Sequence, residues 1–128
     1  MKKIIATDQA PAAVGPYSQA VLVNGLLFVS GQIPVNPADG SVAESIEDQS
    51  HQALKNVGAI LAEAGLGYED VVKTTVLLAD IADFKAMNAV YAEYFTQDKP
   101  ARACFQVAAL PMGVKVEIEV IADATKKL

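Results

Sequence analysis

Residues that commonly carry enzyme chemistry or staple a secreted fold are scarce here: 128 residues include one cysteine, one histidine and no tryptophan. A lone cysteine cannot close an intramolecular disulfide, so nothing asks for an oxidising compartment and the cytoplasm is the expected location. One histidine excludes a pair of imidazoles for acid–base cleavage, and with a single thiol it leaves no His/Cys cluster to hold a metal. Long hydrophobic runs are also missing. No segment approaches the roughly 20 apolar residues of a membrane helix, and the three apolar residues after Lys2 and Lys3 fall short of a signal sequence, so a soluble protein is expected. Positive charge is in deficit, with 10 Lys and Arg against 15 Asp and Glu for a net charge of -5. Such a surface repels phosphate backbones and anionic lipid, which argues against a nucleic-acid or membrane partner.

What the chain has in surplus is apolar surface. Hydrophobic residues make up 52% and charged residues only 20%, and the mean hydropathy is +0.29. The length suits one domain spanning residues 1–128, and the apolar excess is expected to be covered in an oligomer.

The pattern of elements is readable. Residues 7–18 hold two prolines and a glycine, which predicts an extended loop leading to Tyr17. Ala20–Val23 and Leu26–Val29 read as strands around Asn24-Gly25, a pair suited to a type I′ turn. Ser45 is a candidate N-cap with acids following it, and Ile46, Ala53, Leu54, Val57, Ile60, Leu61 and Ala64 recur at helical spacing up to Gly65. Val71–Ala79 is β-branched and predicts a strand. Asp83–Phe95 predicts a second helix, with Phe84, Met87, Asn88 and Tyr91 along one side. Two further strands, over 102–109 and 114–122, flank a turn at Leu110–Gly113. The order ββ-α-β-α-ββ predicts an α+β fold with two helices packed on one face of a mixed β-sheet.

Alternation with period two puts Arg102, Cys104 and Gln106 on one face of their strand, and Glu117 and Glu119 on one face of the last. If the two strands form a hairpin around 110–113, Cys104 lies near Glu119, Gln106 lies near Glu117, and arginine, thiol and carboxylates share a cleft. An arginine fork fits a carboxylate, and a glutamate can take a proton from water. The competing reading is an internal salt bridge from Arg102 to Glu117 or Glu119. Cys104 is a nucleophile only with a base nearby. The single histidine, His51, lies on the polar side of its helix with Glu47 and Lys55 and reads as solvated, so Cys104 reads better as a small buried hydrophobe. Ser30-Gly31, Tyr17 and Asn88 admit either ligand contacts or ordinary packing.

Together these blocks are more specific than any one of them. GPYSQAV at 15–21, VSGQIP at 29–34, QALKNVGAIL at 52–61, VVKTTVLLAD at 71–80, NAVYAEYF at 88–95 and PARACFQVAALPMGVKVEIE at 100–119 strongly resemble the RidA (YjgF) family of enamine/imine deaminases. That resemblance implies a chorismate-mutase-like fold and a homotrimer with active sites between subunits. It also implies hydrolysis of 2-aminoacrylate and 2-aminocrotonate, through their imine tautomers, to 2-keto acids and ammonia without a cofactor, which spares enzymes that depend on pyridoxal phosphate. By position it implies that Arg102 holds the substrate carboxylate and Glu117 activates water. Tyr17 would line the cleft, the Ser30-Gly31 backbone would meet the reacting end, Cys104 would offer its amide, and Asn88 would shape the pocket. The segment Thr96–Lys99 is shorter than in the family, and Ala103 stands where serine is frequent. A non-catalytic sensor of 2-keto acids and a ribonuclease are the alternatives.

Overall fold

The computed structural model describes residues 1–127. Six strands form one sheet: β1 (Lys3–Ile5), β2 (Ala20–Val23), β3 (Leu26–Gln32), β4 (Val71–Leu78), β5 (Ala101–Gln106) and β6 (Val116–Asp123). Their order across the sheet is β1-β2-β3-β6-β4-β5, and only the β4–β5 pair is parallel. Helices α1 (Ile46–Glu63) and α2 (Phe84–Tyr94) cover one face.

Local chemistry explains most of these boundaries. Asn24 and Gly25 both take positive φ, 51° and 75°, as a type I′ turn between β2 and β3 demands. Ser45 caps α1 by accepting the Asp48 amide at 3.1 Å. The far end of α1 closes as a Schellman motif: the Leu66 amide donates to Leu61 at 2.8 Å and the Gly65 amide to Ala62 at 2.9 Å, with Gly65 at φ 75°. The buried stripe of α1, including Ala53, Leu54, Val57, Ile60 and Leu61, then packs with Val76, Leu78, Val116, Ile118 and Val120 of the sheet.

Three expectations need correction. The apolar pair Ile4-Ile5 forms β1 against β2, a strand of three residues and too short to show a period. The strands predicted over 102–109 and 114–122 run instead over Ala101–Gln106 and Val116–Asp123. More consequential, they are not a hairpin. Because α2 carries the chain back parallel to β4, β5 docks on the outer edge of β4, while β6 occupies β4's inner edge. The intervening residues 107–115 step across two strand spacings, about 10 Å, which nine residues span easily. The sequence cue of Pro111 and Gly113 marks a 3-10 turn within that step.

Candidate active site

With β4 between them, the two strands present their functional side chains to opposite faces. On β4, Thr74 pairs with Arg102, Val76 with Cys104 and Leu78 with Gln106. The same strand pairs Thr75 with Glu119 and Leu77 with Glu117. Since direct partners share a face and neighbours alternate, Arg102, Cys104 and Gln106 lie toward the helices. Glu117 and Glu119 lie on the open face. The shared cleft expected from a hairpin therefore does not exist within one chain, and neither does an internal salt bridge. Among the described residues, no carboxylate lies within 4.0 Å of the Arg102 guanidinium and no cation within 4.0 Å of Glu117.

Arg102 emerges at the exposed edge of β5, against α2. Its Nη1 donates to Asn88 Oδ1 at 2.6 Å, and its Cζ stands 4.7 Å from the Tyr91 ring centroid and 5.5 Å from that of Phe84. Asn88 is thus a contact of the arginine. Asn88 Oδ1 is its short acceptor and the Tyr91 hydroxyl also engages the guanidinium, which still leaves donors of the five-donor fork free. Cys104 beside it is half-buried and packs against the core. Burial pushes its thiol up, against a smaller lowering by Arg102, so it is not a ready thiolate. Gln106 accepts the Ile81 amide at 2.9 Å, tying β5 to the turn before α2.

The second group gathers where β3 is interrupted. Pairing with β6 shifts register between Val29 and Gln32, a bulge that re-aims Ser30 and Gly31. Ser30 is committed to structure: its hydroxyl donates to Ser18 O at 2.6 Å and its amide to Gln19 O at 2.9 Å. Gly31 faces Glu117 so closely that an added Cβ would stand 2.9 Å from the carboxyl carbon. The missing side chain makes room for the carboxylate. Burial, and then the charge of Glu119, raise the Glu117 pKa above 4.5, the direction a general base needs. Tyr17 and Gly31 line one cavity of about 280 Å³ together with Met112. Met112 is 70% exposed and holds φ 58°.

His51 is partly solvated, with its side chain 34% exposed, but it is not free. Its Nδ1 lies 2.7 Å from the Tyr94 hydroxyl, which links α1 to α2. Tyr91, Phe84, Thr74 and Met112 were not legible as site residues. The spacing 84, 88, 91 did align Phe84 and Tyr91 with Asn88 on α2, but only the β4–β5 register brings Thr74 and Arg102 to them. Among the described residues, no three of His, Cys, Asp and Glu gather as metal ligands, and no helix is long and apolar enough to cross a membrane.

These groups define a small α+β protein that offers an arginine without a carboxylate partner and a half-buried carboxylate on opposite faces of one sheet. The Endoribonuclease L-PSP family matches residues 7–124. The chain is 54% identical over 122 residues to Reactive Intermediate Deaminase A, chloroplastic, of Arabidopsis thaliana, covering 94% of this chain and 65% of that protein's length. It is 51% identical over 123 residues to the Homo sapiens 2-iminobutanoate/2-iminopropanoate deaminase, covering 95% and 90%. The crystal structure of E. coli TdcF with bound serine superposes with a TM-score of 0.90 at 46% identity, over 94% of this chain and 98% of that one. The chain belongs to the Endoribonuclease L-PSP family, that of the RidA (YjgF) proteins.

Proposed function

We propose that this protein hydrolyses reactive 2-imino acids, formed from 2-aminoacrylate and 2-aminocrotonate, to 2-keto acids and ammonia, at a site completed by a second copy of the chain. The observation that carries the reading is the pair of unmatched groups, Arg102 and Glu117, each prepared by its surroundings and each without a partner of opposite charge among the described residues. Neither has a structural salt bridge to explain it. The relatives named as 2-iminobutanoate/2-iminopropanoate deaminases and the serine held by TdcF supply the substrate class, a small amino-acid-derived carboxylate.

In this scheme Arg102 takes the carboxylate through its free donors. Glu117 removes a proton from water as the new C–O bond forms at the imine carbon, the C=N pair moves to nitrogen, and Glu117 returns that proton to the nitrogen to give the carbinolamine. Glu117 then takes the hydroxyl proton of the carbinolamine as the C=O bond forms and the C–N bond breaks, and hands it to the departing nitrogen, which leaves as ammonia. Water and imine are consumed and keto acid and ammonia are released, so no cofactor is required. Imines hydrolyse unaided in water, and the base contributes roughly 10²- to 10⁴-fold.

Assembly supports the same reading. Phe28 and Phe105 are 41% and 48% exposed on the open face, alongside the partly buried Val21, Leu77 and Ile121, an apolar surface suited to covering by other copies in a homotrimer. A half-buried, unpaired Cys104 fits a reducing compartment such as the cytoplasm. Ribonuclease chemistry is disfavoured by the net charge of -5 and by the engagement of the one histidine with Tyr94.

The test generates imine in situ with an amino-acid oxidase and follows keto-acid release. Wild type should accelerate it, while Arg102→Ala and Glu117→Gln should fall toward the uncatalysed rate. Full activity of Arg102→Ala would remove the carboxylate-anchor role. Binding of 2-oxobutanoate without any rate effect would instead mark a keto-acid sensor.

A further inference from the structure

We infer that Tyr91 and Thr74 act together as a positioning device for Arg102, fixing the direction in which its free donors meet the substrate carboxylate. The inference rests on the deaminase reading and extends it to two residues that touch no substrate.

Arg102 sits on an exposed edge strand, where a long side chain ordinarily samples many rotamers. Here three neighbours on one face of α2 confine it: Asn88 from the side at 2.6 Å, and the rings of Tyr91 and Phe84 beneath it at 4.7 and 5.5 Å. A ring under a cation restrains its height but leaves it free to slide if the ring itself can tilt. Tyr91 is held against tilting from both ends. Its hydroxyl lies 2.8 Å from Thr74 Oγ1 in the buried interior, and its ring packs on Phe95 at a centroid distance of 4.5 Å. Thr74 is fully buried and is the direct β4 partner of Arg102. The contacts thus close a triangle of β4, α2 and β5, and the residue that pins the ring is registered against the residue the ring supports.

Stability alone is a weak reason for this pair. Replacing two buried hydrogen-bonded partners by apolar groups of the same shape is often nearly neutral, and a phenylalanine with a valine would fill similar volume. What the hydroxyl pair adds is a fixed ring orientation, and so a fixed platform for the guanidinium.

The test measures affinity for 2-oxobutanoate and for its uncharged analogue 2-oxobutanamide in the full chain. Tyr91→Leu should weaken 2-oxobutanoate about 3- to 30-fold, as loss of a cation–π platform predicts, and leave the amide unchanged. Tyr91→Phe and Thr74→Val retain packing and should each weaken the acid several-fold. Thr74→Ser, which keeps the hydroxyl, should restore wild-type affinity. In an Arg102→Ala background, Tyr91→Phe should cost nothing further. Equal weakening of acid and amide, or an undiminished effect without Arg102, would overturn the proposal. If wild type neither hydrolyses imine nor binds 2-oxobutanoate, the deaminase reading fails by itself. The Arg102 Nε–Hε resonance then decides the positioning role separately: a ring-current shift that collapses in Thr74→Val supports it, and one unchanged by Thr74→Val and Tyr91→Phe rejects it.

Discussion

Glu117 is where residue chemistry makes the clearest demands on pH. Burial first, and Glu119 second, raise its pKa above 4.5, so the acid limb of kcat/KM should lie above the ordinary glutamate range, and Glu117→Gln should abolish that limb along with most of the rate. The linked effect on stability has the opposite sense. A carboxyl with a raised folded pKa stabilises the fold fully below its unfolded value, and that contribution is lost as pH rises through the folded value. At pH 7 Glu117 is therefore a cost to folding, and Glu117→Gln should melt above wild type, with the gap narrowing as pH approaches 4.5. A lower Tm for Glu117→Gln at pH 7 would contradict burial as the cause of the shift. Arg102→Lys keeps the charge but loses the fork geometry, and should raise KM more than it lowers kcat.

At the scale of elements, the bulge in β3 and the loop behind it sit against Glu117, the proposed base. Gly31→Ala would push a Cβ against the Glu117 carboxylate, the mobile end of a side chain, so the fold should tolerate it while activity falls about 10²-fold from misplacement. A Tm near wild type together with that loss is the expected signature. Asn56 has the complementary role. It is 1% exposed and donates to Ile33 O at 3.1 Å and Val35 O at 3.0 Å, fastening the loop after β3 to α1. Asn56→Ala leaves those acceptors without their donor and should cost about 1–3 kcal/mol, read by thermal denaturation. Both helices and the β2–β3 hairpin were legible because caps, turn residues and apolar spacing are local. β1 was not, since three residues carry no period.

For the whole molecule, Arg102 and Glu117 on opposite faces of one sheet lead to a test that no single chain can pass. Arg102→Ala and Glu117→Gln should each be inactive alone. Mixed and refolded together, they should recover about a quarter of wild-type activity if each site takes its arginine from one copy and its glutamate from another, by random pairing in a closed ring. Sizing should accompany this and give a particle of about 40 kDa, three copies of 13.4 kDa. No recovery from a verified mixed trimer would place both groups of a site in one copy.

The residue types and spacings by themselves determined the α+β class, the two amphipathic helices, the turn at Asn24-Gly25 and the alternation that groups Arg102 with Cys104 and Glu117 with Glu119. Each of these follows from periodicities and backbone preferences that act within a few residues. Only the tertiary structure decided that β4 separates β5 from β6. Strand pairing joins segments far apart in the chain, and the sequence between two strands limits their distance without choosing their neighbours. That choice put the groups expected in a single cleft on opposite faces, and it set Thr74 behind Tyr91 and Tyr91 beneath Arg102.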